Sequence, residues 1–127
     1  MEALRIKLLS GRYGVARLTG GSRIPDWIKG EFISVTSTTD ELSVTCLEDC
    51  IPDGITCEKG WRVLKILGPL DFALVGILSR ISGILAEKQI SIFAISTFDT
   101  DYILVKNDKT SNAVAALKEE GFVVTGI

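Results

Sequence analysis

Between Leu74 and Leu85, apolar residues recur at the helical spacings of three and four: Leu74, Ile77, Leu78, Ile81, Ile84 and Leu85. Ser79, Arg80, Ser82, Glu87 and Lys88 take the other side, which predicts an amphipathic helix with one face on a sheet. Ahead of it, Trp61 to Leu67 alternates in part, is rich in β-formers, and is stopped by Gly68-Pro69. Behind it, Ile90–Ser96 and Tyr102–Lys106 read as strands, joined by a hairpin loop at Asp99-Thr100-Asp101. A second helix is expected from about Ser111 to Glu120, with Ala113, Ala116 and Leu117 inward and Gly121 as its C-cap. Phe122–Thr125 is the last strand. The order β-α-β-β-α-β is the ferredoxin-like arrangement, an α+β fold with both helices on one face of an antiparallel sheet.

The first half echoes the second at an offset of 60 residues: Leu4-Arg5-Ile6 against Leu64-Lys65-Ile66, Ser34–Ser37 against Ala94–Thr97, and Glu41–Val44 against Asp101–Leu104. The echo fails where helices belong. Gly11 to Leu18 reads as turn then strand, only Ile24–Ile28 has the makings of a helical turn, and Pro52, Gly54 and Gly60 break the stretch from Asp49. The pattern predicts a tandem: an abbreviated copy over residues 1–60 and a complete unit over 61–127. Two β-hairpins that merely look alike are the simpler alternative.

Composition narrows the function classes. The chain has 127 residues, 46% hydrophobic and 24% charged, with a formal net charge of -2, as in ordinary globular proteins. Near-neutrality without a basic run argues against nucleic acid as a partner. The apolar stretch Phe72–Leu78 is too short to cross a bilayer, and Met1–Arg5 alternates rather than forming a leader core. The expectation is a cytoplasmic protein with no membrane partner.

Cys46, Cys50 and Cys57 are three in number and the chain has no histidine. That favours free thiols over a disulfide framework, and three thiols alone do not complete a structural zinc shell, so neither a metal nor a cofactor is expected. Without histidine the commonest general base is missing. No nucleophile elbow, Walker loop or dinucleotide fingerprint is present; Gly20-Gly21 is a turn, since no Gly-Lys-Ser/Thr follows. The chain is not expected to be an enzyme.

Gly76-Ile77-Leu78-Ser79-Arg80-Ile81, with Ile84 through Ile92, resembles the first helix and second strand of an ACT domain. The run Gly68–Leu78, followed by Ser96-Thr97-Phe98-Asp99-Thr100-Asp101-Tyr102, is similar to the tandem-ACT subfamily of the CASTOR arginine sensors and of short bacterial ACT-domain proteins. The likeness covers Trp61 to Phe122 closely and Met1 to Gly60 more loosely. In one respect the chain departs from the pattern. Many amino-acid-binding ACT domains carry Asp-x-Pro-Gly before the helix; here those positions read Ala73, Leu74, Val75 and Gly76, so only the glycine remains.

The resemblance implies a non-catalytic regulatory module that binds a free amino acid, arginine or another small one, at an interface between ACT units, in a homodimer. It implies contacts from the strand-to-helix loop (Val75, Gly76, Ile77) and from the second-strand loop (Ser96, Thr97, Phe98, Asp101). Physical chemistry allows this: N–H groups at a helix start seat a carboxylate, and an aspartate pairs with an ammonium or a cationic side chain. Each residue has a plainer alternative. Gly76 would permit tight helix–sheet packing, Ser96 and Thr97 would end a strand, Phe98 would pack, and Asp99 and Asp101 would satisfy their own turn. The whole chain likewise has one: a dimerisation or protein-docking module of the same fold without a ligand.

Overall fold

A computed structural model describes residues 4–67 and 76–127. The chain divides into two compact units. One, the αβ unit, joins Met1–Ser10 to Arg62–Ile127; the other, the all-β unit, is Gly11–Trp61. The sequence pattern places the boundary between residues 60 and 61. The structure differs because the N-terminal strand keeps company with the far half of the chain.

In the αβ unit the strands are β1 (Arg5–Leu8), the second half of β5 (Thr56–Ile66), β6 (Ile92–Ser96), β7 (Asp101–Lys106) and β8 (Val123–Thr125). The helices are α1 (Ile77–Glu87) and α2 (Thr110–Glu119). From β5 onward the order is β-α-β-β-α-β, the ferredoxin-like order, with one addition. β1 lies between β8 and β5: it runs parallel to β8, with Ile6 beside Val124, and antiparallel to β5, with Ile6 beside Ile66. On its other side β5 meets β7, which pairs with β6. The sheet expected to have four antiparallel strands therefore has five, with one parallel pair. The alignment of Leu4–Ile6 with Leu64–Ile66 matched two segments that are neighbours.

Both helices bury their apolar stripes on one sheet face. Ile81, Leu85, Ala113 and Leu117 pack with Ile6, Leu64, Ile66, Ile103, Val105 and Val124 in one core. Both helices also end alike. After α1 the N–H of Ile90 donates to Leu85 O (3.0 Å), and Gln89 takes a left-handed backbone with φ 58°. After α2 the N–H of Phe122 donates to Leu117 O (3.1 Å), and Gly121 takes φ 94°. These are Schellman endings, in which the left-handed residue suits glycine.

The all-β unit contains β2 (Tyr13–Thr19), β3 (Ser34–Ser37), β4 (Glu41–Leu47) and the first half of β5, in the order β3-β4-β2-β5, all antiparallel. Among its described residues there is a 3-10 turn at Glu48–Cys50 but no α-helix. The Ile24–Ile28 segment forms a turn rather than a helical one. Residues 18–28, where a second copy would place α1, hold turns and the end of the strand Tyr13–Thr19. Its Gly14 is pressed so close to Ile51 that a Cβ would meet the Ile51 side chain at 2.6 Å. Leu42, Val44 and Cys46 form a core with Ala16 and Ile51.

The two hairpins match in detail. Ser37 pairs with Leu42 and Ser96 pairs with Asp101. In the turns, Thr38 N–H donates to Glu41 O (2.9 Å) and Thr97 N–H to Thr100 O (2.8 Å). The threonine hydroxyls donate to the same carbonyls, at 3.2 and 3.1 Å. The 3-10 turns Glu48–Cys50 and Asn107–Lys109 follow at the same interval. Every one of these positions, Ser37 and Ser96 among them, is 59 residues from its counterpart, one fewer than the offset read from the sequence.

Candidate functional site

The sequence-predicted contacts fall on two elements of the αβ unit. Ser96, Thr97, Phe98 and Asp101 belong to the β6–β7 hairpin. Gly76 and Ile77 begin α1, and Val75 lies outside the described residues.

The hairpin is pinned to the sheet. Thr100 is buried, 5% exposed, and its hydroxyl donates to Ile66 O at 2.6 Å. Ile66 is the last residue of β5, from which the chain leaves for α1, so the hairpin tip stands at that end of the sheet. α1 also begins at that end: it finishes just before the start of β6, and β6 finishes at the tip. An 11-residue helix and a 5-residue strand both span about 16 Å, which lets them cross the same depth of the unit in opposite directions.

The hairpin's alternation sets the face. Asp101, Ile103 and Val105 share one side of β7, and Ile103 and Val105 lie in the core beneath the helices. The Asp101 carboxylate therefore stands on the helix-covered face, half-buried, at the end where α1 starts. Directly opposite, the Ser96 hydroxyl donates to Asp101 Oδ1. Among the described residues no cation pairs with Asp101. The structure thus brings Ser96 and Asp101 into contact and sets Gly76 and Ile77 at the same end and face, with no hydrogen bond between the two pairs among the described residues.

At the start of α1, Gly76 has φ 83° and no side chain caps the helix; its first turn holds no acidic residue. Arg80 N–H is bonded to Gly76 O (2.8 Å), so the N–H groups of Ile77, Leu78 and Ser79 precede the first helical bond. A Cβ on Gly76 would meet nothing within 4 Å among the described residues. Tight helix–sheet packing is therefore not why glycine is there; the left-handed backbone is. Ile77 is half-buried against the core. Phe98 is 83% exposed at the hairpin tip, so it is not a core packing residue. Thr97 holds the turn with both its N–H and its hydroxyl.

Thr100 is the residue that sequence reasoning missed. It lay inside the expected hairpin loop, but its partner is a backbone carbonyl, which leaves no trace in residue types.

Two clefts elsewhere have none of these residues in their walls. One of about 340 Å³ lies in the all-β unit between Gly11, Arg12, Leu47, Glu48 and Asp49. Another, of about 240 Å³, lies along α2 at Asn112, Ala115, Ala116 and Glu119 with Lys88. Cys46, Cys50 and Cys57 are free thiols. Burial pushes the Cys46 thiol above its ordinary pKa, opposed by a backbone hydrogen bond at Lys29 and reinforced by the nearby Cys50 and Cys57. No helix among the described residues is long and apolar enough to cross a membrane.

Comparison with known proteins shows which family this ferredoxin-like unit belongs to. The ACT domain model matches residues 56–119, and a second model, described as an N-terminal domain, matches residues 11–54. The human "Cytosolic arginine sensor for mTORC1 subunit 1" is 41% identical over 64 residues, covering 48% of this chain and 20% of that protein. A crystal structure of a protein from Agobacterium tumefaciens is 36% identical with a TM-score of 0.91, covering 98% of this chain and 94% of that one. The regulatory subunit of aspartate kinase from Thermus thermophilus, 12% identical with a TM-score of 0.60, covers 90% of this chain and 95% of that one and shows the shared fold. The chain belongs to the ACT domain family. Its match spans about a fifth of the length of the curated arginine sensors.

Proposed function

We propose that the chain is a non-catalytic regulatory module that senses a free amino acid at an interface between ACT units, the second unit coming from another copy in a homodimer. In this reading Asp101, oriented by Ser96, holds the ligand's ammonium or basic side chain. The N–H groups of Ile77 and its neighbours, which precede the first helical bond, receive the carboxylate beside Gly76 and Val75. Thr97 holds the loop in shape and Phe98 shields the bound ligand. Residues 11–61, which hold the first of the two matching hairpins, act as an abbreviated ACT-like copy, and the αβ unit as the complete one.

The observation that carries the proposal is the carboxylate of the half-buried Asp101, on the helix-covered face, held by the exposed Ser96 hydroxyl and with no cation against it among the described residues. The name of the curated relatives makes L-arginine the first ligand to try. A thermal-shift screen of the twenty amino acids tests the reading. A ligand that binds only the folded state at a hundredfold excess over its Kd adds about 2.7 kcal/mol, a rise in melting temperature of several degrees. No rise with any of the twenty rejects it in favour of a ligand-free docking module.

A further inference from the structure

We infer that each chain carries a single open site, in the αβ unit, and that the corresponding place in the all-β unit has been closed into core. This rests on the reading of Asp101 as a ligand contact. The matching hairpins provide the argument. On β4 the inward stripe is Leu42, Val44 and Cys46; on β7 it is Asp101, Ile103 and Val105. The members correspond one by one at the 59-residue interval, and so do Ser37 and Ser96 across the rung.

Two of the three positions are core-filling in both hairpins. The third differs in kind: Leu42 is 1% exposed and sealed in its core, while Asp101 is half-buried and charged. The serine opposite is kept in both, but only in β7 does it have a carboxylate to hold. The stretch that matches α1 at the same interval, residues 18–28, holds the end of β2 and turns but no helix, so no helix start supplies N–H groups there. That unit therefore lacks both halves of the site, the anion acceptor and the cation acceptor.

Leu42 shows what the fold places at this register when nothing has to bind there. An aspartate at the equivalent position gives up apolar contact and leaves a charge short of partners. Function maintained against stability is the expected signature of a binding residue.

The test uses the full chain in two arms. In the ligand-free arm, Asp101→Leu should raise the melting temperature by ~3–6 °C, while Asp101→Asn, which keeps the polar shape, should not raise it. A fall on Asp101→Leu would show that the aspartate is a structural part of its turn and would overturn the inference. In the binding arm, calorimetric titration with L-arginine should give one mole bound per mole of chain, and none for Asp101→Leu. Two per chain, or binding that survives Asp101→Leu, overturns the inference as well. An absence of heat from the wild type instead rejects arginine sensing, and the melting arm alone then decides between an open and a structural Asp101.

Discussion

The hydroxyl of Thr100 donates to the carbonyl of Ile66 at 2.6 Å, a buried bond between residues 34 positions apart. It ties the hairpin that carries Ser96 and Asp101 to the end of β5, and with it the geometry of the candidate site to the sheet.

Replacing Thr100 by Val keeps the shape and leaves the Ile66 carbonyl buried without its partner. The expected loss is about 1–3 kcal/mol, a fall in melting temperature of several degrees, whereas Thr100→Ser should recover most of it. Equal melting of wild type and Thr100→Val would show that the bond holds nothing in place.

The helix ends make a paired prediction. Gln89 and Gly121 occupy the same left-handed place after α1 and α2. Gln89→Gly should stabilise by up to about 1 kcal/mol, and Gly121→Ala should destabilise by a similar amount. Urea unfolding midpoints of the two variants, moving in opposite directions from wild type, check this.

Alkaline pH tests the buried thiol. The folded pKa of Cys46 is raised by burial, so its contribution to stability is complete below the unfolded thiol value of ~8.5. It is lost as pH rises from there through the folded value. Tyr13, raised chiefly by burial as well, adds a second loss beginning near ~10. Stability measured in urea should therefore fall above pH ~8.5 in the wild type and fall less in Cys46→Val between ~8.5 and ~10. Parallel profiles would remove Cys46 from the account.

What the sequence showed of the fold depended on range. The helix through Leu78, Ile81 and Leu85, the hairpin between Ser96 and Asp101 and the cap at Gly121 are set by neighbours a few residues away, and periodicity and turn chemistry report those. The pairing of Ile6 with Ile66 and Val124 is not local. An isolated apolar strand such as Arg5–Leu8 fits many sheet positions, so its insertion between β5 and β8 left no pattern. The site divides in the same way. Asp101 was found as a loop-end carboxylate, and its helix-covered face was already implicit in its alternation with Ile103 and Val105. The 59-residue match to Leu42 emerged only once the pairing of both hairpins was known.

Asp101 as the ligand's charge partner is the central claim, and a calorimetric titration of wild type and Asp101→Asn tests it most directly. The titrant is the amino acid giving the largest rise in the thermal screen. Asparagine serves a turn nearly as well as aspartate, so the fold should survive. Removing an ionic hydrogen bond of about 1.5–3 kcal/mol should weaken binding roughly tenfold to a hundredfold. An affinity unchanged between the two proteins would contradict the account and take Asp101 out of the site.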